Sequence, residues 1–293
     1  MQSLEAACGV RKRNSETRSL YSRLGNRLIF WQPFGCEYAQ SPRWKPLERA
    51  YIRLFGLVDL PTRMRARLIA KTLRNIPWKK MLDFGSGTGV YSFYFSRSRG
   101  VHVFGVDILK TRIEECIDLR QLLERRSLDF ITSSRIFETG RFRPNSIDVV
   151  LAIEVLPYLF DVRAGFQDIR QVLTPGGYMI GHLPLLGYGQ KPETIRFDTE
   201  TIARFVKESG LQLLSITRVF GKTARLLSRI YGYCVRSRLC TALAFPLLLM
   251  ASFACGGVNP NGSYCLVVAR KPPGRDEGSD PPLQKRHLPK TFN

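Results

Sequence analysis

Met81-Leu82-Asp83-Phe84-Gly85-Ser86-Gly87-Thr88-Gly89 decides how this 293-residue chain is read. Met81, Leu82 and Phe84 form a short apolar run of the kind that becomes a buried strand. Three alternate glycines follow, and the apolar pattern from about Val90 to Ser98 predicts a helix. A glycine loop between a strand and a helix lets backbone approach a ligand, because no Cβ intervenes. The next apolar run, Val101–Val106, predicts a second strand. It delivers Asp107 to its end, 18 residues beyond Gly89.

An acid at the end of the second strand is where a nucleoside site keeps its ribose-binding carboxylate. The dinucleotide fingerprint requires a third glycine at position 90, which is Val90. Asp83, just before the loop, would repel a pyrophosphate and suits a cationic group such as an ammonium. This combination resembles motif I of the class I S-adenosylmethionine-dependent methyltransferases. The resemblance implies that the loop packs against the methionine part of S-adenosylmethionine. The acid at Asp83 then helps hold the amino group, and Asp107 binds the two ribose hydroxyls. It places Asp83, Gly85, Ser86, Gly87, Thr88, Gly89, Asp107, Ile108, Ser133 and Ser134 at the cofactor. The family usually carries an acid at the end of the third strand. Here Ser133 and Ser134 stand in its place, and a serine hydroxyl can accept the same hydrogen bond.

A second match is Ser146–Leu159, SIDVVLAIEVLPYL. Asp148 opens an apolar strand, and Glu154 to Leu159 leave it. This resembles the segment after strand four of small-molecule and lipid-type methyltransferases. The chain lacks the Asn/Asp-Pro-Pro-aromatic motif of nucleic-acid amino-methyltransferases and the paired glutamates of protein-arginine enzymes. His182, at the end of the fifth strand, is the leading candidate base, with Tyr158 and Glu154 behind it. For His182 a packing role, and for Glu154 the role of an acid at a helix N-terminus, are the alternatives. His102, inside strand two, reads as structural.

The surrounding chain predicts helices over Pro46–Phe55, Pro61–Ile76, Thr111–Arg125, Phe166–Leu173 and Thr199–Ser209. It predicts further strands over Ser127–Thr132, Tyr178–Leu183, Leu211–Val219 and Ser263–Ala269. In the second helix Arg63, Arg67, Lys71 and Arg74 read as a solvated face. Leu173 to Gly177, LTPGG, reads as a turn before strand five. The expected fold is α/β: a Rossmann-like, seven-stranded, mostly parallel sheet with helices on both faces and an apolar helical insertion between the last two strands. Three regions follow from this reading. Residues 1–44 are a basic, aromatic extension. Residues 45–272 are the methyltransferase domain, with the insertion at 222–258. Residues 273–293 are a polar, proline-rich tail expected to be disordered.

Charge is unevenly spread. The net +21 comes from 17 basic against 5 acidic residues over 1–80, a balanced 17 against 16 over 81–218, and 11 against 3 over 219–293. Basic flanks suit a phosphate-bearing partner, either nucleic acid or an anionic membrane surface. The N-terminal extension reads as a cap over the site, as packing on the core, or as a single-strand nucleic-acid binder. In the insertion, Lys222, Arg225, Arg229, Arg236 and Arg238 precede an uncharged run from Leu239 to Val258, broken by Pro246. A single crossing would put strand seven on the wrong side of a membrane. The insertion is therefore an interfacial or re-entrant element, or a buried hairpin. The seven cysteines lack metal-ligand spacing, and no metal site is expected. Odd cysteine number and an N-terminus without an apolar core region suggest a cytoplasmic protein, peripheral at most on the membrane's cytoplasmic face.

Three function classes follow. The first is a small-molecule, lipid or lipid-linked glycan methyltransferase. The second is an RNA or protein methyltransferase docking through the flanks, with nucleic acid disfavoured by the missing motif. The third is a cofactor-binding protein without catalysis.

Overall fold

The computed structural model describes residues 34–185, 197–255 and 257–274. The first 33 residues and those from 275 onward, with most of the expected tail, lie outside the described residues. A 3-10 turn at Cys36–Gln40 precedes α1 (Pro46–Phe55) and α2 (Leu60–Leu73). Asp59 caps α2 by accepting from the Thr62 N–H at 3.2 Å. Then come β1 (Lys80–Phe84), α3 (Val90–Phe95), β2 (His102–Asp107), α4 (Lys110–Leu122), β3 (Leu128–Thr132) and β4 (Ile147–Ile153). After a 3-10 turn at Leu156–Tyr158 follow α5 (Val162–Val172), β5 (Leu173–Pro184), α6 (Thr199–Glu208) and β6 (Gln212–Val219). The hairpin α7 (Lys222–Cys234) and α8 (Arg238–Ala254) leads to β7 (Tyr264–Arg270).

The seven strands are ordered β3-β2-β1-β4-β5-β7-β6, and β7 alone runs antiparallel to its neighbours. Successive side chains on a strand point to opposite faces, and both faces of this sheet are covered. Met81, Val149 and Leu151 pack on one side with Ile69, Phe93 and Ile113. Leu82, Val150 and Ala152 pack on the other with Phe166, Ile169 and Ile202. The chain crosses from one side of the sheet to the other at β1 and β4, so a crevice opens beyond their carboxyl ends.

Several expected element bounds shift: the helices expected to end at Ile76 and Arg125 end at Leu73 and Leu122, and the one expected from Phe166 begins at Val162. The helix after the glycine loop stops at Phe95 rather than Ser98. LTPGG lies within β5: Leu173 pairs with Ile147, the ladder resumes at Tyr178 with Val149, and Thr174–Gly177 bulge between them.

A further correction concerns α2. Lys71 and Arg74 are exposed, but Arg63 is buried and Arg67 half-buried. The α7–α8 hairpin covers that face. Arg63 donates to the Phe55 carbonyl and lies 5.3 Å from the Phe245 ring centre. Arg67 donates to Ser252 Oγ at 2.5 Å and lies 4.3 Å from the Phe253 ring. Pro246 inside α8 has no N–H for the carbonyl four residues back, that of Ala242. The Tyr51 hydroxyl donates to this carbonyl at 2.9 Å instead. A single α1 side chain thus heals the break in the helix.

The insertion is therefore a helical hairpin seated on the core by one face, and no helix among the described residues is long and apolar enough to cross a membrane. Phe245 is its buried anchor, packed on Tyr51 and Tyr231. Phe245→Ala should cost about 3–5 kcal/mol. We expect a lower melting temperature and faster limited proteolysis within 222–258. An unchanged melting curve would mean that the hairpin is not seated there.

Candidate active site

Gly85 has φ +78°, and a Cβ there would stand 2.4 Å from the Val155 side chain. Only glycine lets the chain leaving β1 lie this close to the chain leaving β4. Gly87, at φ +54°, has open space where its Cβ would be, so the loop's crest is uncovered. Its N–H donates to Asp107 Oδ2 at 2.7 Å, and the Leu109 N–H donates to Oδ1 at 2.9 Å. The second strand's acid is thereby fixed against the loop with lone pairs to spare. Ile108 beside it is 65% exposed, an apolar surface uncovered among the described residues. Ser86 Oγ is buried without a hydrogen-bond partner among the described residues. Thr88 is held through its carbonyl, which accepts from the buried Tyr38 hydroxyl. Residues 34–44 of the N-terminal extension therefore pack on the glycine loop.

Asp83 is buried and accepts from Ser92 Oγ at 2.6 Å. Burial pushes its carboxyl up to about 6, against the opposing effect of the Ser92 hydrogen bond. At the end of β3, the Ser133 and Ser134 hydroxyls lie 2.8 and 2.7 Å from one carboxylate oxygen of Glu138. Ser134 and Ser133 in turn hold that carboxyl low, at about 2. An acid is present at this corner after all, supplied from further along the chain.

The catalytic candidates separate. Glu154 and His182 meet, whereas Tyr158 is 64% exposed and lies outside the cavity that the other two line. Glu154 has φ +57°, a left-handed conformation uncommon for a non-glycine residue. Its N–H donates to the His182 carbonyl at 2.8 Å, tying the segment after β4 to β5. Its carboxylate pairs with Arg65 of α2 and stands 3.6 Å from His182 Nδ1. Glu154 is thus an ion-pair partner of Arg65 on the cavity floor. His182 is fully buried, stacked on Tyr264 at 5.0 Å with Phe220 edge-on at 5.6 Å. Neither ring nitrogen has a hydrogen-bond partner among the described residues. Burial first, and then the Arg65 charge, push the imidazole well below its usual range, so it is neutral at pH 7. His102, by contrast, pairs through Nε2 with Asp129 at 2.8 Å, in keeping with a structural role.

The cavity beside His182 measures about 320 Å³. Arg65, Glu154, His182 and Tyr264 form its floor, and Arg225 and Arg229 of α7 stand at its wall. The sequence signals did not single out Arg65, Tyr264 or Phe220. They come from three distant segments, and only packing brings them together.

Comparison with known proteins fits this geometry. A methyltransferase-domain family model matches residues 82–181, the glycine loop through β5. O-methyltransferase resE of Aspergillus sclerotiorum is 27% identical over 177 residues, covering 55% of this chain and 66% of that protein. The ubiquinone biosynthesis O-methyltransferase of Bradyrhizobium sp. (strain ORS 278) is 33% identical over 153 residues, covering 52% and 55%. Phosphoethanolamine N-methyltransferase 1 of Triticum aestivum is 26% identical and is matched over only 27% of its length. The chain thus spans between about a quarter and two thirds of these relatives. Among solved structures, Haemonchus contortus phosphoethanolamine N-methyltransferase 2 in complex with S-adenosyl-L-methionine superimposes with a TM-score of 0.54. It is 19% identical, over 80% of this chain and 59% of that one. The [4+2]-cyclase SpnF superimposes with a TM-score of 0.53 at 18% identity, over 73% and 82%. The matched domain, running from the loop through β5 on this sheet, is a class I S-adenosylmethionine-dependent methyltransferase domain.

Proposed function

We propose that this protein transfers a methyl group from S-adenosylmethionine to a small-molecule or lipid-type acceptor seated in the cavity beside His182. The observation that carries this reading is the fully buried, neutral and unpartnered His182 on the cavity floor. Such a group is costly in a fold unless something binds against it. Its position next to the segment that touches the glycine loop links the two halves of a transfer site.

The residues at the loop fit the cofactor. Asp107 offers both carboxylate oxygens to ribose hydroxyls, the uncovered crest at Gly87 gives room for backbone approach, and Ile108 offers an apolar face for a base. Asp83 lies where an ammonium would neutralise it. Ser134, oriented by Glu138, keeps lone pairs for an exocyclic amine. Bound here, the cofactor supplies an electrophilic methyl on a sulfonium. The protein's share is alignment, exclusion of water and removal of one proton. An unpartnered nitrogen of the neutral His182 is the acceptor for the proton that the attacking group loses. Arg65 pairs with the Glu154 carboxylate beside the ring.

The acceptor's approach from a membrane surface is part of this reading. The outer face of α8 presents Leu239, Leu243, Leu247 and Met250, each between 68% and 74% exposed. No acidic residue occurs between 209 and 274, whereas Lys222, Arg229 and Arg236 are exposed nearby. An apolar stripe within a basic field suits an anionic leaflet. The O-methyltransferases and phosphoethanolamine N-methyltransferases among the relatives keep both oxygen and nitrogen acceptors within the proposal.

Three measurements test this. By calorimetry S-adenosylmethionine should bind, and Asp107→Ala should cost about 1.5–3 kcal/mol, roughly ten- to hundredfold in Kd. Affinity should also fall with decreasing pH below about 6, at most tenfold per unit, as Asp83 becomes neutral. In the unliganded protein the sign is opposite. The folded carboxyl titrates above its ordinary 3.8, so its contribution to stability is full below pH 3.8 and is lost as pH rises through about 6. No binding, or binding unaffected by the substitution, would overturn the cofactor assignment.

In the second, His182→Ala should reduce kcat by roughly two to four orders of magnitude with cofactor affinity unchanged. A drop in melting temperature that accounts for the lost activity would make His182 a packing residue. In the third, the protein should float with phosphatidylglycerol vesicles, less so at high salt, and Leu243→Glu with Leu247→Glu should remove the salt-resistant part. Wild-type protein that stays with the dense fraction at low salt would end the membrane reading.

A further inference from the structure

Two cysteines bracket the tip of the inserted hairpin. Cys234 is the last residue of α7, and Cys240 lies in the first turn of α8. The turn between them folds one towards the other. The Ser237 N–H donates to the Cys234 carbonyl at 3.1 Å, and Ser237 Oγ accepts from the Cys240 N–H at 3.3 Å. Thr241 Oγ1, one residue further on, lies 2.8 Å from the same Cys234 carbonyl. The two thiols are hydrogen-bonded to each other, and that bond first, then burial, raises the Cys234 thiol above its usual range. Both thiols are free, Cys234 half-buried and Cys240 exposed. Free cysteine is ordinarily among the most buried residues, as Cys116 and Cys265 are here, and a facing pair at an exposed turn departs from that habit. Arg236 and Arg238 stand within the turn. Arg238 pairs with Glu48 at 3.4 Å, and Arg236 lies 5.2 Å from the Tyr233 ring, so the tip keeps a net positive charge.

We infer that Cys234 and Cys240 form a reversible redox site, closing to a disulfide that staples α7 to α8. The oxidant this site fits is an anionic low-molecular-weight disulfide, drawn in by the positive tip. Cys240, the exposed sulfur, meets it first. Its thiolate attacks one sulfur of the small disulfide, a mixed disulfide forms, and one small thiolate leaves. The Cys234 thiolate then attacks the Cys240 sulfur and expels the second small thiolate. The S–S bond of the oxidant is broken and one S–S bond is formed in the protein. Two electrons pass from the two cysteines to the small disulfide, and the two S–H protons end on the two small thiols released. Because the side chains already face one another, closure asks for little backbone movement. In a reducing compartment such a bond is transient, as redox-sensing disulfides are. Helix α7 lines the cavity beside His182, and α8 carries the exposed apolar stripe. One bond at the tip therefore ties together the two working surfaces of the hairpin without touching Asp107 or His182.

The test exposes the reduced full chain to glutathione disulfide at mildly alkaline pH, blocks remaining thiols with N-ethylmaleimide and digests with trypsin. Trypsin cuts after Arg236 and after Arg238, so the disulfide alone would hold residues 230–236 to residues 239–270. Fragment ions should place the link at Cys240 rather than at Cys255 or Cys265, and dithiothreitol should release it. Cys234→Ser and Cys240→Ser should each abolish the link, whereas Cys255→Ser should leave it. In the oxidised wild type, amide hydrogen exchange over residues 232–241 should slow at least several-fold. The inference is overturned by N-ethylmaleimide or separate glutathione adducts on both cysteines, by a link through Cys255 or Cys265, or by a dimer joined through Cys240. Exchange equal in the oxidised and reduced protein would overturn the staple.

Discussion

The chain leaving β1 and the chain leaving β4 pass so close that Gly85 can carry no side chain: a Cβ would meet Val155 at 2.4 Å. The organisation of the ligand end of the sheet follows from this approach. The two strands are adjacent and parallel, so their carboxyl ends open on the same crevice. Because the loops touch, a ligand lying along one is within reach of groups carried by the other. Glu154 is the residue just before Val155. Its left-handed backbone sends its N–H to the His182 carbonyl and its carboxylate to Arg65. One close approach thereby connects three strands and α2.

The electrostatics at this junction are unusual for an apolar interior. A carboxylate and a guanidinium are paired beside an imidazole that burial keeps neutral. The pair is half-buried, with the Glu154 side chain 34% exposed to the cavity, so solvent screens part of its attraction. Asp83, on the other side of the glycine loop, is the complementary case: a carboxyl that burial, with a smaller push from the Asp107 charge, makes reluctant to ionise.

How much of this was legible in the sequence depended on whether the partners are neighbours along the chain. Gly85, Gly87, Gly89 and Asp107 form a pattern because loop geometry and one strand–helix–strand unit fix their spacing. His182 could be placed at a strand end by periodicity alone. Arg65, Tyr264 and Arg225 could not, since they reach the cavity from α2, β7 and α7. Arg63 and Arg67 depart from the solvated face that their spacing predicts for a related reason. A helix's charged face looks solvated until the segment that covers it is known, and that segment lies more than 150 residues later. Glu138 carries no sequence signal for this corner, because it is not at the strand end but folds back from a loop.

The place where the α7–α8 hairpin enters the fold has its own consequence. Of the seven strands only β7 is reversed, and it sits between β5 and β6. Strand β6 therefore ends, and β7 begins, at the same edge of the sheet at which the glycine loop and Glu154 emerge. Whatever is spliced between those two strands lands on the reactive side without disturbing a single rung of the ladder. The fold behaves as a socket: its permanent part is the first five strands with the pair β6 and β7, and its interchangeable part is whatever chain connects that pair. Divergence in such a protein can be confined to one exchangeable module, and a chimera that trades this connection for another would leave the cofactor half intact.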